Sequence, residues 1–385
     1  MVATTTAALA FLLAHAQPGQ TIRIAPGRYI GNFVLSTDHV KLVGEPGVVL
    51  NGQDKGTVLR VTGKDCTLVS LTLEDSGASE FDNDAGLLFN GADNGVVRDV
   101  HIDRCLNGVY VNDSRNVRIF GLTGRGLPGA GIEENGDGIH LFQSTDVQAE
   151  GCKLTDFRDG CYLEFASGAD IVNNTILKSK RYGLHVMFTD RAVYRNCTFS
   201  GNAVGSVVMN ARHIQVLSNR FVHQLGPTGQ GLELKEADDS LVSGNTFADD
   251  TVALFVEGSE RNRFENNRIT TSGWGLELFA SSSDNLFSHN AFLGDTFEVA
   301  EDMPSPSNRL SHNFWSGNHG SGPYLPVRPF ALLSLQNPDL LAFADSPAAR
   351  AIDMAFATLP ALVDQAAIDP SPLSVLPPDL QVKAS

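Results

Sequence analysis

The chain has 385 residues, with 28 Lys plus Arg against 44 Asp plus Glu and a formal net charge of −16. That balance, without any run of Lys or Arg, excludes a nucleic-acid partner gripped through its phosphates. No stretch reaches the roughly 18 consecutive apolar residues of a membrane span. The five cysteines (Cys66, Cys105, Cys152, Cys161 and Cys197) are odd in number and form no C-x-x-C pair. They read as buried small hydrophobes, with one bridge plus a free thiol as the alternative.

Ala7 to Ala14 is apolar, and Ala14-His15-Ala16 imitates a signal cleavage site. No basic residue precedes it, as a secretory signal requires, so no export signal is evident. The expectation is instead a short cap helix within residues 1–20. Thr4 or Thr5 caps it, and Leu9, Leu12 and Leu13 cover the open end of a stack. Gln17-Pro18-Gly19-Gln20 turns this helix into a first strand, Thr21 to Ile24, and Pro26-Gly27 makes the next bend. Strand-like runs follow at 32–35, 40–43, 48–50, 58–61 and 66–71. Asp75–Ala85 is acidic and carries no strand signal. It and the glycine-rich Gly121–Gly136 are expected as excursions from single turns, where binding groups tend to sit.

From Gly86 onward a six-residue pattern repeats, clearest in Asp137-Gly-Ile-His-Leu-Phe142, Asp159-Gly-Cys-Tyr-Leu-Glu164 and Tyr182-Gly-Leu-His-Val-Met187. Its glycines return about every 22 residues, which marks a solenoid. Positions Gly+1 and Gly+3 are mostly apolar, the period-two alternation of a half-buried strand. About 22 residues is too short for a strand plus a helical crossover but fits three short strands and tight bends. The fold class is therefore all-β: a right-handed parallel β-helix over residues 21–322, in which each turn buries its face by stacking on the next. A second marker, Asn-x-(Phe/Ile/Trp), recurs at Asn174, Asn219, Asn245, Asn267, Asn290 and Asn313. At the strand spacing these amides can hydrogen-bond turn to turn. Cys152 and Cys197 take the same slot in their own turns. Beyond Gly322 the pattern stops. Residues 323–385 are expected to hold two helices, 339–345 and 348–359, ended by Pro360 and followed by a Pro-rich tail.

Residues at Gly+2 and Gly+4 form outward columns. Two of the five methionines, Met187 and Met209, fall there beside His185. Imidazole and thioether together suit Cu(I), a soft ion, so His185, Met187 and Met209 are the candidate metal ligands. The alternative is that the methionines only fill gaps. Asp137 and Asp159 share one slot in adjacent turns. They could form a paired carboxylate for glycoside chemistry, or simply begin turns. His140 and His185 flank Tyr162, a platform that suits a sugar. His312 and His319, around Trp315, are weaker metal candidates.

The runs Gly136-Asp-Gly-Ile-His-Leu141, Arg158-Asp-Gly-Cys-Tyr-Leu-Glu-Phe165 and Arg181-Tyr-Gly-Leu-His-Val-Met-Phe188 resemble the NosD family. Gly231-Leu-Glu-Leu-Lys-Glu236, Asn313-Phe-Trp-Ser316 and Pro323-Tyr-Leu-Pro326 continue the likeness in order. The resemblance implies a periplasmic accessory protein with no catalytic residues of its own. It would be held at the inner membrane by the membrane subunit of an ABC transporter. It implies work on the copper–sulfide centre of nitrous-oxide reductase, with Cu(I) carried transiently and received from the chaperone NosL. Gly317–Gly322 departs from the family, which carries an Asp-Gly-rich loop there. The rival function is a polysaccharide-active β-helix enzyme: a lyase, hydrolase or mannuronan epimerase.

Overall fold

The computed structural model describes residues 1–127, 129–303, 305, 307–344, 346–358 and 367–381. The chain divides into two compact units, Met1–Ala203 and Val204–Ser385. Each is a parallel β-helix of three sheets, in which every strand pairs with its equivalent one turn away. In the first unit the register runs Val109↔Ile139, Ile139↔Cys161 and Cys161↔Leu184. The repeating glycines follow from this stacking. A Cβ on Gly138 would sit 2.5 Å from the Gly160 carbonyl oxygen, and one on Gly160 would sit 2.7 Å from that of Gly183. No other residue fits where one turn's backbone lies so close to the next.

The cap helix spans Thr6–Ala14, and the Thr5 side chain accepts from the Ala8 amide at 3.2 Å. Leu9 and Leu13 are buried, and Leu12 is half-buried. The strand Thr21–Ile24 falls where the alternation places it. Two strands escape the sequence pattern. Val2–Ala3 extends a sheet ahead of the cap helix, and Gly27–Ile30 begins where only a bend is expected. The excursion expected at Gly121–Gly136 is shorter, because Thr123–Arg125 still pairs as a strand with Lys153–Thr155. All five cysteines are free and buried.

The asparagine ladder is present. In the second unit Asn219 Nδ2 donates to Asn245 Oδ1 at 3.1 Å, Asn245 to Asn267 at 3.0 Å, Asn267 to Asn290 at 2.9 Å and Asn290 to Asn313 at 3.0 Å. The residues just before them (Ser218, Gly244, Asn266, His289 and His312) have φ between +54° and +68°. This left-handed residue turns the corner and aims the following amide inward. In the first unit Cys152 N–H donates to Asn174 Oδ1 at 2.7 Å, and Asn174 N–H points at Cys197 Sγ at 3.4 Å. A thiol therefore does share the slot.

Asp369 closes the ladder. Fully buried, it accepts from Asn313 N and Nδ2 and from Trp315 Nε1 at 2.9, 3.2 and 3.1 Å. The last strand is Phe314–Trp315. A helix the sequence reading missed, Pro329–Gln336, follows, then a 3-10 turn Pro338–Phe343 and a helix Pro347–Thr358. The expected helix end at Leu359 and Pro360 lies outside the described residues. The tail is bound to the flank of its own unit: Phe330, Ala331 and Ala349 pack with Trp274 and Phe297, joined by half-buried Leu340 and Ile352. Leu341 and Phe343, beside Leu340 in sequence, stay exposed. No helix among the described residues is long and apolar enough to cross a membrane.

Another slot of the second unit carries carboxylates where an amide would serve. Asp250 and Asp295 each accept one backbone N–H, from Gln224 and Ser272, at 2.8 Å. Each leaves its other oxygen buried without a partner. Burial pushes Asp250 up to about 8 and Asp295 up to about 7, from 3.8. A raised carboxylate keeps its proton in the fold but loses it in the unfolded chain above pH 4. Stability is therefore lost as pH rises from about 4 through the folded values. Asp250→Asn and Asp295→Asn should each raise stability by at least about 1 kcal/mol at pH 8, without effect at pH 3.5; thermal melts at both pH values check this. Asp369→Ala should cost about 3 kcal/mol or more, since three buried donors lose their acceptor, measured as a drop in the denaturant midpoint.

Candidate functional site

The distinctive face of the first unit is the sheet containing Asn107–Asn112, Ile139–Phe142, Cys161–Glu164 and Tyr182–Met187. Register stacks Tyr110, His140, Tyr162 and His185 in one column. Ring centroids lie 4.5 Å apart from Tyr110 to His140, 4.5 Å from His140 to Tyr162 and 4.2 Å from Tyr162 to His185. The column is not the solvated face the alternation implies: Tyr110, His140, Tyr162 and His185 are 4 to 8% exposed. Rings spaced by the strand repeat cover one another. The Asp75–Ala85 excursion reaches the same face, where Glu80 accepts from Arg158 Nη1 at 3.1 Å.

Beneath the rings lie Asp137 and Asp159, both fully buried. The side-chain partners of both carboxylates are basic residues. Each carboxylate is clamped by an arginine from the following turn. Arg158 donates to both oxygens of Asp137 at 3.2 and 3.1 Å, and Arg181 Nε donates to Asp159 at 3.0 Å. Burial alone would raise the Asp137 carboxyl. His140 and Arg158 outweigh it and hold it down to about 2. A carboxylate so held cannot deliver a proton near neutral pH. Sequence reasoning missed these arginines, although Arg158-Asp-Gly and Arg181-Tyr-Gly repeat with the turn.

Each carboxylate also orients one histidine. His140 Nδ1 lies 3.1 Å from Asp137 Oδ2, and His185 Nδ1 lies 3.1 Å from Asp159 Oδ2. Both Nε2 atoms are buried without a hydrogen-bond partner. His140 Nε2 stands 3.4 Å from Glu164 Oε2, close enough for charge attraction but not aligned as a hydrogen bond. Burial works against the His140 imidazolium, yet Asp137 and Glu164 together hold its pKa above the ordinary value. The proximity of His140 in turn holds Glu164 below its ordinary value. Burial pushes Tyr110 up to about 12. A cavity of about 210 Å³ opens beside His140, bounded by Glu80, Arg158, Tyr162 and Glu164.

His185 and Met187 share one strand and one face, and Tyr162 links them. Its ring stacks on His185 with planes 7° apart, and its hydroxyl donates to Met187 Sδ at 3.4 Å. Met187 is half-buried. Met209 lies in the second unit, half-buried on the strand Val204–Arg212 and opposite Lys235 in its ladder. His312 stacks on His289 at 5.4 Å and its ring meets Ser311 Oγ at 2.6 Å, while His319 is exposed. Among the described residues no three His, Cys, Asp or Glu side chains are grouped to hold a metal ion. One imidazole and one thioether, those of His185 and Met187, share a strand and a face.

Fold and site define a parallel β-helix that displays, on one sheet, histidines oriented by buried carboxylates. Residues 122–326 match the family described as periplasmic copper-binding protein (NosD). The chain belongs to the NosD family. A relative from Stutzerimonas stutzeri named probable ABC transporter binding protein NosD is 26% identical, over 92% of this chain and 87% of its own. One of the same name from Pseudomonas aeruginosa is 25% identical, over 72% and 67%. Among solved structures, the N-terminal fragment of bacteriophage phi29 gene product 12 superposes with a TM-score of 0.68 at 13% identity, covering 80% of this chain and 63% of that one. The A-module of the Azotobacter vinelandii mannuronan C-5 epimerase AlgE4 superposes at 0.53 and 16%, covering 82% and 92%. These two likenesses concern the fold alone.

The Asp137–His140 pair has a defined pH window. Asp137 is depressed, so its contribution is present above pH 4 and lost as pH falls through about 2. His140 is raised, so its contribution is present below pH 6.5 and lost as pH rises through its folded value. The stability difference between the parent chain and His140→Gln should be largest between about pH 4 and 6.5 and shrink above it, as read from paired urea melts.

Proposed function

We propose that this protein is a periplasmic, non-catalytic accessory factor that carries copper. It would work with an ABC transporter in building the copper–sulfide centre of nitrous-oxide reductase. Copper is the cargo, taken as Cu(I), held transiently and received from NosL. One observation supports the reading: His185 gives Nδ1 to a buried carboxylate and keeps Nε2 without a hydrogen-bond partner, on the strand and face that also carry Met187. A carboxylate behind an imidazole fixes its tautomer and raises its basicity as a ligand. A thioether next to it favours a soft monovalent ion over harder competitors. Two or three donors without a closed cage suit an ion that must be passed on. Met209 is retained as an additional donor from the sequence column, to be tested by itself. Family membership and the relatives' names support the periplasmic setting and the transporter partner. The membrane subunit would then attach the protein peripherally to the inner membrane.

The rival reading, a polysaccharide-active enzyme, would need an ionisable pair with freedom to exchange protons. Asp137 and Asp159 are instead each tied to an arginine and a histidine.

Competition against a chromogenic Cu(I) chelator under anaerobic conditions tests the assignment. His185→Ala and Met187→Ala should each weaken binding by about tenfold or more, the equivalent of about 1.4 kcal/mol. Met209→Ala should weaken it by a smaller factor. Binding indifferent to both His185→Ala and Met187→Ala would remove the site from this face.

A further inference from the structure

The second unit holds a cationic cleft that copper handling does not use. Three neighbouring strands, Arg220–Val222, Thr246–Ala248 and Arg268–Thr270, pair in the register Arg220↔Thr246 and Thr246↔Arg268. Phe221, Phe247 and Ile269 alternate with them into the core. Arg220, Thr246 and Arg268 therefore stand on the outer face, the two arginines about 9–10 Å apart at Cα. The C-terminal 3-10 turn Pro378–Leu380 crosses this face, with Leu380 buried. Arg268 Nη1 donates to the Leu380 carbonyl at 2.7 Å. Together they bound a cleft of about 490 Å³.

The charge in this cleft is unbalanced. Among the described residues Asp379 is the one carboxylate that lines it, against Arg220 and Arg268. Among the described residues neither guanidinium has a carboxylate partner. Arg328, also half-buried in this unit, shows the usual arrangement, with Asp353 at 2.7 Å. Burial without such a partner lowers the pKa of Arg268. In a chain of net charge −16, an unneutralised pair of guanidiniums is a local well for anions. The Leu380 carbonyl holds Arg268 by one nitrogen and leaves the rest of its planar fork for a ligand. Such forks match the oxygens of tetrahedral oxyanions. Thr246 places a hydroxyl between them.

We propose that this cleft binds a small dianionic oxyanion of the phosphate or sulfate class, bridged by Arg220 and Arg268. The site is independent of the copper reading.

Titration calorimetry of the full chain with inorganic phosphate, at pH 8 and fixed ionic strength, tests it. Saturable binding is expected, with sulfate competing and nitrate not competing. Arg268→Gln should weaken phosphate at least about tenfold. Arg220→Gln, at an exposed position that leaves the core untouched, should weaken it as well. Asp379→Asn should tighten it by removing a repelling carboxylate. No saturable heat with the parent chain, or an affinity unchanged from the parent in both Arg220→Gln and Arg268→Gln, would overturn the proposal. Flotation with phosphatidylglycerol vesicles that phosphate does not displace would overturn it in favour of a lipid surface.

Discussion

Everything in this molecule depends on the short distance between one turn and the next. Parallel strands lie about 4.8 Å apart, so each residue sits directly over its equivalent and must tolerate it. Apolar side chains do so easily, and phenylalanines stack with Phe264 over Phe287 at 4.4 Å and Phe292 over Trp315 at 4.3 Å. Glycine is required where the backbone itself is the neighbour. Buried polar groups face a stricter rule, because a group repeated on itself must be both donor and acceptor. Asparagine satisfies that rule. Aspartate meets it only in part: Asp250 and Asp295 accept one N–H each, leave the second oxygen without a partner, and are pushed far from their ordinary values by burial.

The functional face obeys the same constraint in another way. A column of imidazoles and phenols can stack at this spacing, and a carboxylate under each histidine would be costly to bury alone. The arginine supplied by the following turn compensates that charge. Its fork takes the carboxylate's oxygens, and the carboxylate takes Nδ1. The outcome is a histidine whose second nitrogen is buried, oriented and unengaged. The same contacts that tie Asp137 and Asp159 to basic side chains thus fix the orientation of His140 and His185.

Much of this was legible from residue order. The Gly-centred repeat, with apolar residues at Gly+1 and Gly+3, carried the β-helix, and the Asn-x-(Phe/Ile/Trp) spacing carried the ladder. What escaped depends on contacts that no periodicity encodes. Alternation puts Gly+2 outward and so implies water, but the rings of Tyr110, His140, Tyr162 and His185 shield each other. The arginine clamps repeat with the turn, yet their acceptors lie one turn back, outside any local window. The helix Pro329–Gln336 begins with Pro at its first position, the same signal that located the two later segments. It was hidden because its apolar residues resemble the strand runs before it. Asp369 carries no local signature, since its partners are more than fifty residues upstream.

The asparagine ladder has a direction. From Asn219 to Asn290 each amide gives an Nδ2 hydrogen to the asparagine of the next turn, while from Asn245 to Asn313 Nδ2 also donates to a backbone carbonyl of the turn before. The chain of amides therefore ends in a donor that needs a partner with lone pairs only. Asp369 is such a terminator, and a residue carrying its own N–H in that place would turn one proton against another. Evolution can consequently lengthen or shorten this protein by duplicating or deleting whole turns inside the array, because each new amide both receives and gives. It cannot add a turn beyond Trp315 without carrying the terminator outward with it.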